Sequence, residues 1–262
     1  MGVAGSAERR GGVEMRHLIL SLEAPLMAFG GETIDNYGVI RWFPSASMLT
    51  GLLANALGWR RTERDQHQRL QDRLVFAARI DREPTTGVRL PDFQTALLSK
   101  KDQGWTTQGV PEGRDGGPNT YDAPHLRYRD YFADMRANIA LRLEPADETP
   151  TLDDLAVALQ EPARPLFIGR KPCLPSSFLF GGFSQGDTAL TALLATPLSA
   201  DAPHLDSIRA LWPDGEGEAE ITPSRSYMLV DQRNWLSGLH GGGRLVCEGA
   251  IEHGRFSTTK DE

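Results

Sequence analysis

The strictest constraint on the fold is a run of alternating residues between Ala133 and Leu143. In ADMRANIALRLEP every second residue from Ala133 is small or apolar. Most of the residues between them are polar, namely Asp134, Arg136, Asn138, Arg142 and Glu144. A period of two is that of a β-strand, whose successive side chains point to opposite faces of a sheet. The run predicts a strand with one face in the core and the other in water.

Other segments supply the elements around this strand. Strands are predicted at HLILSLEAP (17–25), LVFAARID (74–81) and RPLFIGR (164–170). Helical spacing of apolar residues predicts a helix in PSASMLTGLLANALGW (44–59), with Ser45 or Ser47 placed as the cap. Further helices are predicted at about 63–73 and in TLDDLAVALQEP, which begins at Thr151. Without the second of these helices and the inserted arm described below, the order matches the βαββαβ plan of an α+β, ferredoxin-like sheet with helices on one face.

The plan divides the chain into three parts. Residues 1–14 are Gly-rich and patternless and are predicted to be either disordered or an extra N-terminal extension. Residues 15–183 are predicted to hold the ferredoxin-like domain, and 184–262 a smaller, mainly β region. That last region has strands at SYMLVD and RLVCEGAIE. The Gly- and Pro-rich stretch from about 83 to 129 is too long for an ordinary connection. It is either an extended hairpin or a partly disordered insertion.

Composition limits the functions that are open to the chain. A net charge of −7 argues against a protein that coats nucleic acid indiscriminately, because such binding depends on Lys and Arg. The two cysteines and six scattered histidines show no zinc-ligand spacing, so no metal or cofactor is predicted. No run approaches 18 apolar residues and the first 14 lack a signal-peptide core, which predicts a cytoplasmic protein that does not contact membranes. The acidic WPDGEGEAE (212–220) is predicted to be a solvated loop.

Catalytic motifs are missing from the sequence. It has no Gly-x-Ser-x-Gly elbow, no His-Glu-x-x-His and no phosphate-binding loop. One group, in YDAPHLRYRDYF, places Tyr121, His125 and Tyr128 among arginines. A histidine acting as general acid and base beside a cation permits metal-free RNA cleavage, although no spacing rule supports this assignment.

Basic residues interleaved with aromatic ones point instead to RNA binding. Cations contact phosphates, and aromatic faces stack unpaired bases. Three segments combine these features, and their candidate RNA-binding residues are Arg41, Trp42, Arg127, Tyr128, Arg129, Gly169, Arg170 and Lys171. The aromatic motif of an RNA-recognition sheet is missing, so the loops and the 83–129 arm are the predicted contact surfaces.

Four segments combine these strands, the first helix and the basic residues, namely LILSLEAPLMAFG, RWFPSASMLTGLLANALG, LPDFQTALL with RYRDYFADMRANIALRL, and PLFIGRKPCLPSSFLFGG. Together they resemble the CRISPR-associated Cas-five family of the RAMP superfamily, in the branch found in type I-E Cascade. The family's helix start often reads Thr-Arg-Ser, whereas Ala46 and Met48 flank Ser47 here. A helix-start arginine is therefore missing, and Arg41 is the expected replacement, with Ser45 and Ser47 as either RNA contacts or caps.

The resemblance implies a noncatalytic subunit of an antiviral ribonucleoprotein. Such a protein grips the 5′ handle of the CRISPR RNA (crRNA) and caps the backbone of Cascade. A β-hairpin thumb, here about 83–129, inserts beside the backbone subunit, and other surfaces contact the large subunit. Target DNA is met only indirectly, through the complex.

The same resemblance implies one alternative. Some relatives cleave the precursor RNA themselves, without metal, using Tyr, Lys and His side chains. In this chain the candidates for such an endoribonuclease are Tyr121, His125, and Lys100 or Lys101.

Overall fold

The computed structural model describes residues 14–34, 36–84, 89–96, 104–105, 111–112, 125–198 and 206–256. Within them the fold is mixed α/β, with sheets and few helices. The strands are β1 (Met15–Glu23), β2 (Leu26–Met27), β3 (Gly30–Ile34), β4 (Tyr37–Ile40), β5 (Leu74–Arg82), β6 (Leu90–Ala96), β7 (Gly104–Trp105), β8 (Pro111–Glu112), β9 (His125–Ala133), β10 (Arg136–Leu143), β11 (Phe180–Gly186), β12 (Ser207–Pro213), β13 (Arg225–Leu229) and β14 (Arg244–Glu252). The helices are α1 (Ala46–Ala56), α2 (Arg64–Arg73), α3 (Leu152–Gln160) and α4 (Ala189–Ala195).

Seven of these strands form one sheet in the order β11-β1-β10-β5-β12-β14-β13. Every neighbouring pair in it is antiparallel, as in the register Leu20↔Ile139 between β1 and β10. The strands after residue 206 thus continue the sheet that begins at the N-terminus. A single hydrogen-bonded sheet therefore runs from β11 at one edge to β13 at the other.

Both faces of this sheet are covered. Leu18, Leu20 and Leu22 of β1 share a core with apolar residues of α1, α2 and α3. On the opposite face, Ile19 and its neighbours Ala77 and Ala140 pack with α4. The three predicted helices thus share one face of the sheet, and α4, which was not predicted, covers the other face.

The prediction of a strand with a wet face is wrong, because α4 covers that face. β10 begins at Arg136, because Asp134 turns the chain with a φ of +56°. Asn138 and Arg142 on its second face are buried. Arg142 donates a 2.7 Å hydrogen bond to Glu216, which also accepts from the backbone N–H of Ala189 at the start of α4. Glu216 belongs to the acidic segment predicted to be a solvated loop, so that prediction is also wrong at this residue.

The prediction of a strand at 164–170 is also wrong. This segment is irregular, and its backbone closes a turn in which Ile168 N–H bonds to Cys173 O at 2.8 Å and Cys173 N–H to Arg170 O at 2.8 Å. Those bonds occupy groups that a strand would offer to its neighbour. The strand that pairs with the outer side of β1 is instead β11, FGGFSQG.

The predicted helices are confirmed. Ser45 caps α1 and accepts the backbone N–H of Met48 at 3.1 Å. Thr151 caps α3 in a capping box with Asp154. Among the described residues, no helix is long and apolar enough to cross a membrane.

A smaller sheet carries the ends of the predicted arm. Its strand order is β2-β9-β4-β3. β2 pairs with the last two residues of β9, and β6 pairs with the residues before them, in the register Phe93↔Tyr128. β4 runs parallel to β9, with Tyr37 opposite Tyr128. The arm residues 85–88, 97–103, 106–110 and 113–124 lie outside the described part of the chain.

Candidate functional site

A cleft of about 620 Å³ brings together segments that are far apart in sequence. Its walls are the segment 28–31 after β2, Arg41 after β4, α1 with its cap from Ser45 to Asn55, the segment 166–170 and the C-terminal loop 230–240. Five of the residues predicted to bind RNA line it, namely Arg41, Ser45, Ser47, Gly169 and Arg170. The structure therefore gathers two of the three predicted segments around one space.

The α1 wall is anchored by the protein's own carboxylate. The N–H of Ala46 donates to Asp231 Oδ2 at 3.0 Å, and the N–H of Ser47 donates to Asp231 O at 3.1 Å. Asp231 is also ion-paired with Arg244 at 3.0 Å and is buried. Together with the Ser45 cap, these contacts satisfy the N–H groups that a helix start would otherwise offer to an anion. This arrangement favours the capping interpretation of Ser45.

The turn at Gly169 forms part of the wall of the cleft. Gly169 has a φ of +86°, and a Cβ at this position would lie 1.8 Å from the carbonyl oxygen of Ala28. Only glycine permits both the left-handed conformation and this close approach. The turn is therefore fixed against the segment that follows β2.

Arg170 is held by protein acceptors rather than displayed in solvent. Its Nη1 donates to Asp130 O and its Nη2 to Gly38 O, both at 2.8 Å. Its guanidinium also lies 4.9 Å from the ring centre of Tyr131. The adjacent Lys171 is exposed. Arg170 thus joins the cleft to the smaller sheet, and Lys171 is the more accessible cation of the pair.

The C-terminal wall carries residues that the sequence patterns did not indicate. Arg233 lies 5.3 Å from the ring centre of Trp235 and donates to Gly238 O at 3.0 Å. Trp235 donates its Nε1–H to Gln71 Oε1 at 3.0 Å, which holds the indole at the cleft. His240 also lines the space and is exposed. The sequence could have indicated this wall, because DQRNWLSGLH places basic residues near an aromatic one, as RWF and RYRDYF do.

The charge of the cleft is positive. Arg41, Arg170 and Arg233 line it, and Asp231, the one acid among the described lining residues, is paired with Arg244. Burial lowers the pKa of the Arg233 guanidinium below its ordinary value, and the nearby charge of Arg61 adds to this shift. Two guanidinium groups thus raise the local potential at one end of the cleft.

Trp42 occupies a packed position. Its ring stacks on Phe132 with centroids 4.6 Å apart, and the guanidinium of Arg209 lies 3.8 Å from its ring centre. These contacts show how the side chain is used within the fold. Base stacking by Trp42 stays a prediction.

The third predicted segment lies on the smaller sheet. Arg127 is exposed, and Tyr128 stacks on Tyr37 with centroids 5.0 Å apart. Phe93 is tilted against the same tyrosine at 5.4 Å, and both Tyr37 and Phe93 are 54% exposed. Arg129 and Arg170 both approach Gly38, where a Cβ would lie within 2.9 Å of each side chain. The segment therefore adjoins the cleft through Arg129 and Arg170.

The candidates for RNA cleavage are not assembled by the described part of the structure. Tyr121, Lys100 and Lys101 lie outside the described residues, and only the backbone of His125, in β9, is described. Within the described ranges no group of three or more His, Cys, Asp or Glu side chains is placed to hold a metal ion. Cys173 and Cys247 are both buried and unpaired.

Comparison with known proteins identifies relatives of the whole fold. "CRISPR system Cascade subunit CasD" of Escherichia coli (strain K12) is 29% identical over 185 residues, which cover 68% of this chain and 75% of that protein. A chain of a solved "CRISPR RNA-guided surveillance complex" is 23% identical and superposes with a TM-score of 0.60 over 94% of this chain and 95% of its own. A second, "Crystal structure of Cas protein", is 21% identical, with a TM-score of 0.56 over 92% and 98%.

These solved structures share the mixed α/β architecture described above. The family model described as CRISPR-associated protein (Cas_Cas5) matches residues 17–247, which include every wall of the cleft and most of the seven-stranded sheet. This chain belongs to the CRISPR-associated protein family Cas_Cas5.

Proposed function

We propose that this protein is a noncatalytic subunit of a CRISPR RNA-guided surveillance complex, in which it binds the 5′ handle of the crRNA and caps the complex backbone in the cytoplasm. Family membership and the similarity to the E. coli Cascade subunit CasD support the assignment to such a complex. The handle is single-stranded RNA held at one place, which suits an acidic protein with a local basic cleft.

The observation that carries the proposal is the convergence of Arg41, Arg170 and Arg233 with Trp235 around one cleft. Guanidinium groups neutralise phosphates, and an indole offers a face for an unpaired base. The cleft volume of about 620 Å³ accommodates a few nucleotides rather than a duplex. Lys171, Arg127 and Arg129 extend the cationic path from the cleft onto the smaller sheet.

The architecture supports two further parts of the proposal. The strand order β11-β1-β10-β5 places the fourth, first, third and second strands of a βαββαβ unit side by side, which is the arrangement of a ferredoxin-like core. The β6–β9 ladder supports a hairpin thumb within 83–129 that contacts the backbone subunit. Other surfaces of the protein then contact the large subunit, and target DNA is met through the complex.

The test is to purify the complex after co-expression with the other subunits and a CRISPR array, and to sequence the RNA that it retains. The protein alone is then incubated in EDTA with labelled repeat RNA. We expect the complex to retain crRNA, and the handle to be protected from nuclease when this subunit is present. We expect no cutting of the repeat RNA by the isolated protein. Specific cutting that His125→Ala abolishes would replace the proposal with a metal-independent endoribonuclease.

A further inference from the structure

A second groove lies between α2 and α3, away from the residues that line the cationic cleft. Its volume is about 820 Å³. Residues of α2 that are three or four positions apart form one wall, and residues of α3 with the same spacing form the other. None of its lining residues also lines the cationic cleft. It is therefore a separate surface.

The floor and one wall of this groove are apolar. Leu57, Trp59 and Leu70 line it from below. On α3, Val157 also lines the groove and is 61% exposed. The apolar residues on either side of it, Leu155, Ala156, Ala158 and Leu159, are buried. A valine displayed over an apolar floor is the kind of surface that a partner covers.

The rim of the groove is acidic. Four carboxylates line it, namely Asp65, Glu148, Asp154 and Glu161. The facing cations are Arg69 and Arg73, and Arg69 is bound to Glu148 with Nε 2.7 Å from Oε1. Because hydrogen bonds from Arg69 also hold the pKa of Glu148 below its ordinary value, this carboxylate stays charged well into the acid range. An acidic rim repels RNA and attracts a cationic chain.

We propose that the groove between α2 and α3 binds a segment of a partner protein that carries apolar side chains flanked by Lys or Arg. The apolar side chains pack on Leu57, Trp59 and Val157, and the cations face Asp65 and Glu161. This is a protein-docking site on a surface distinct from the cationic cleft. It does not depend on whether the cleft binds the crRNA handle.

The probe is a fluorescein-labelled, 12-residue amphipathic helix of Leu and Lys, measured by anisotropy against the full chain. We expect saturable binding, at least tenfold weaker for Val157→Asp and unchanged for Phe178→Asp. Phe178 is the matched control, because it is an apolar residue that is 80% exposed elsewhere on the surface. A new aspartate strengthens any nonspecific attraction to a cationic peptide, so weaker binding by Val157→Asp reports the loss of the apolar contact in the groove.

Two results would overturn the proposal. One is equal or tighter binding of the Leu/Lys peptide by Val157→Asp. The other is equal binding of a Leu/Glu peptide of the same length, which would show that the rim makes no selection. Handle RNA binding by Val157→Asp is measured in parallel, and it is expected to equal that of the unsubstituted protein. The docking site and the RNA cleft therefore succeed or fail separately.

Discussion

At the scale of single residues, Gly169 is the most closely packed of the described glycines that line the cleft. A Cβ there meets the Ala28 carbonyl at 1.8 Å, whereas Gly182 has a similar φ of +97° and no atom within 4 Å of its Cβ position. Gly182→Ala is expected to cost about 1–2 kcal/mol from the left-handed conformation alone. Gly169→Ala is expected to cost clearly more, because backbone must move. Urea denaturation of both variants checks this, and equal losses would show that the turn is not packed as described.

The basic pair beside that glycine divides into two roles. Charged hydrogen bonds from Arg170 to two backbone carbonyls predict that Arg170→Ala lowers the free energy of unfolding by about 1–3 kcal/mol. Lys171→Ala, on an exposed side chain, is expected to leave stability unchanged while weakening RNA binding. Thermal denaturation and handle RNA affinity of the two variants separate the roles. A stable Arg170→Ala variant would show that the guanidinium is free to serve RNA alone.

At the scale of elements, the contact of α4 with the sheet predicts acid sensitivity. Burial raises the pKa of Glu216, but hydrogen bonds from Arg142 and from the N–H of Ala189 outweigh it and hold the pKa below its ordinary value of 4.5. For His17, burial disfavours the charged imidazolium and lowers the pKa below its ordinary value of 6.5. Folded protein thus binds fewer protons than unfolded protein, so stability falls as pH drops below about 6.5 and falls further below about 4.5.

Glu216→Gln tests this dependence. The variant is expected to be less stable than the unsubstituted protein at pH 7, with the difference shrinking as pH falls through the folded pKa of Glu216. Denaturant titrations between pH 7 and pH 3 give the two curves. Parallel curves over the whole range would show that Glu216 makes no charged contact in the fold.

The elements differ in how far the sequence predicted them. Helices α1 and α3 were predictable because a capping residue precedes apolar residues at helical spacing in each. β11 was not, since FGGFSQG has three glycines and no apolar alternation, and its strand form depends on backbone pairing with β1. The buried second face of β10 depends on α4 and Glu216, which are distant in sequence. The same limit applies to the cleft, because the 230–240 loop has no period that relates it to Arg41.

At the scale of the whole molecule, two surfaces of opposite charge lie on one acidic chain. The cleft at Arg41 and Arg233 is cationic, and the groove between α2 and α3 is rimmed by acids. Such a division suits a protein that holds one RNA segment while contacting protein partners. A net charge of −7 also limits association with unrelated nucleic acid.

The most direct test of the account is the affinity of the protein for the repeat-derived 5′ handle of its crRNA, measured at several salt concentrations. Arg41→Ala combined with Arg233→Ala is compared with the unsubstituted protein. The control is Arg225→Ala, an exposed arginine of β13 outside the cleft. We expect at least tenfold weaker binding by the double variant and no change for the control. We also expect the slope of log affinity against log salt concentration to fall by about one unit per arginine removed. Equal affinity and slope for all three proteins would contradict the proposal that this cleft binds the handle.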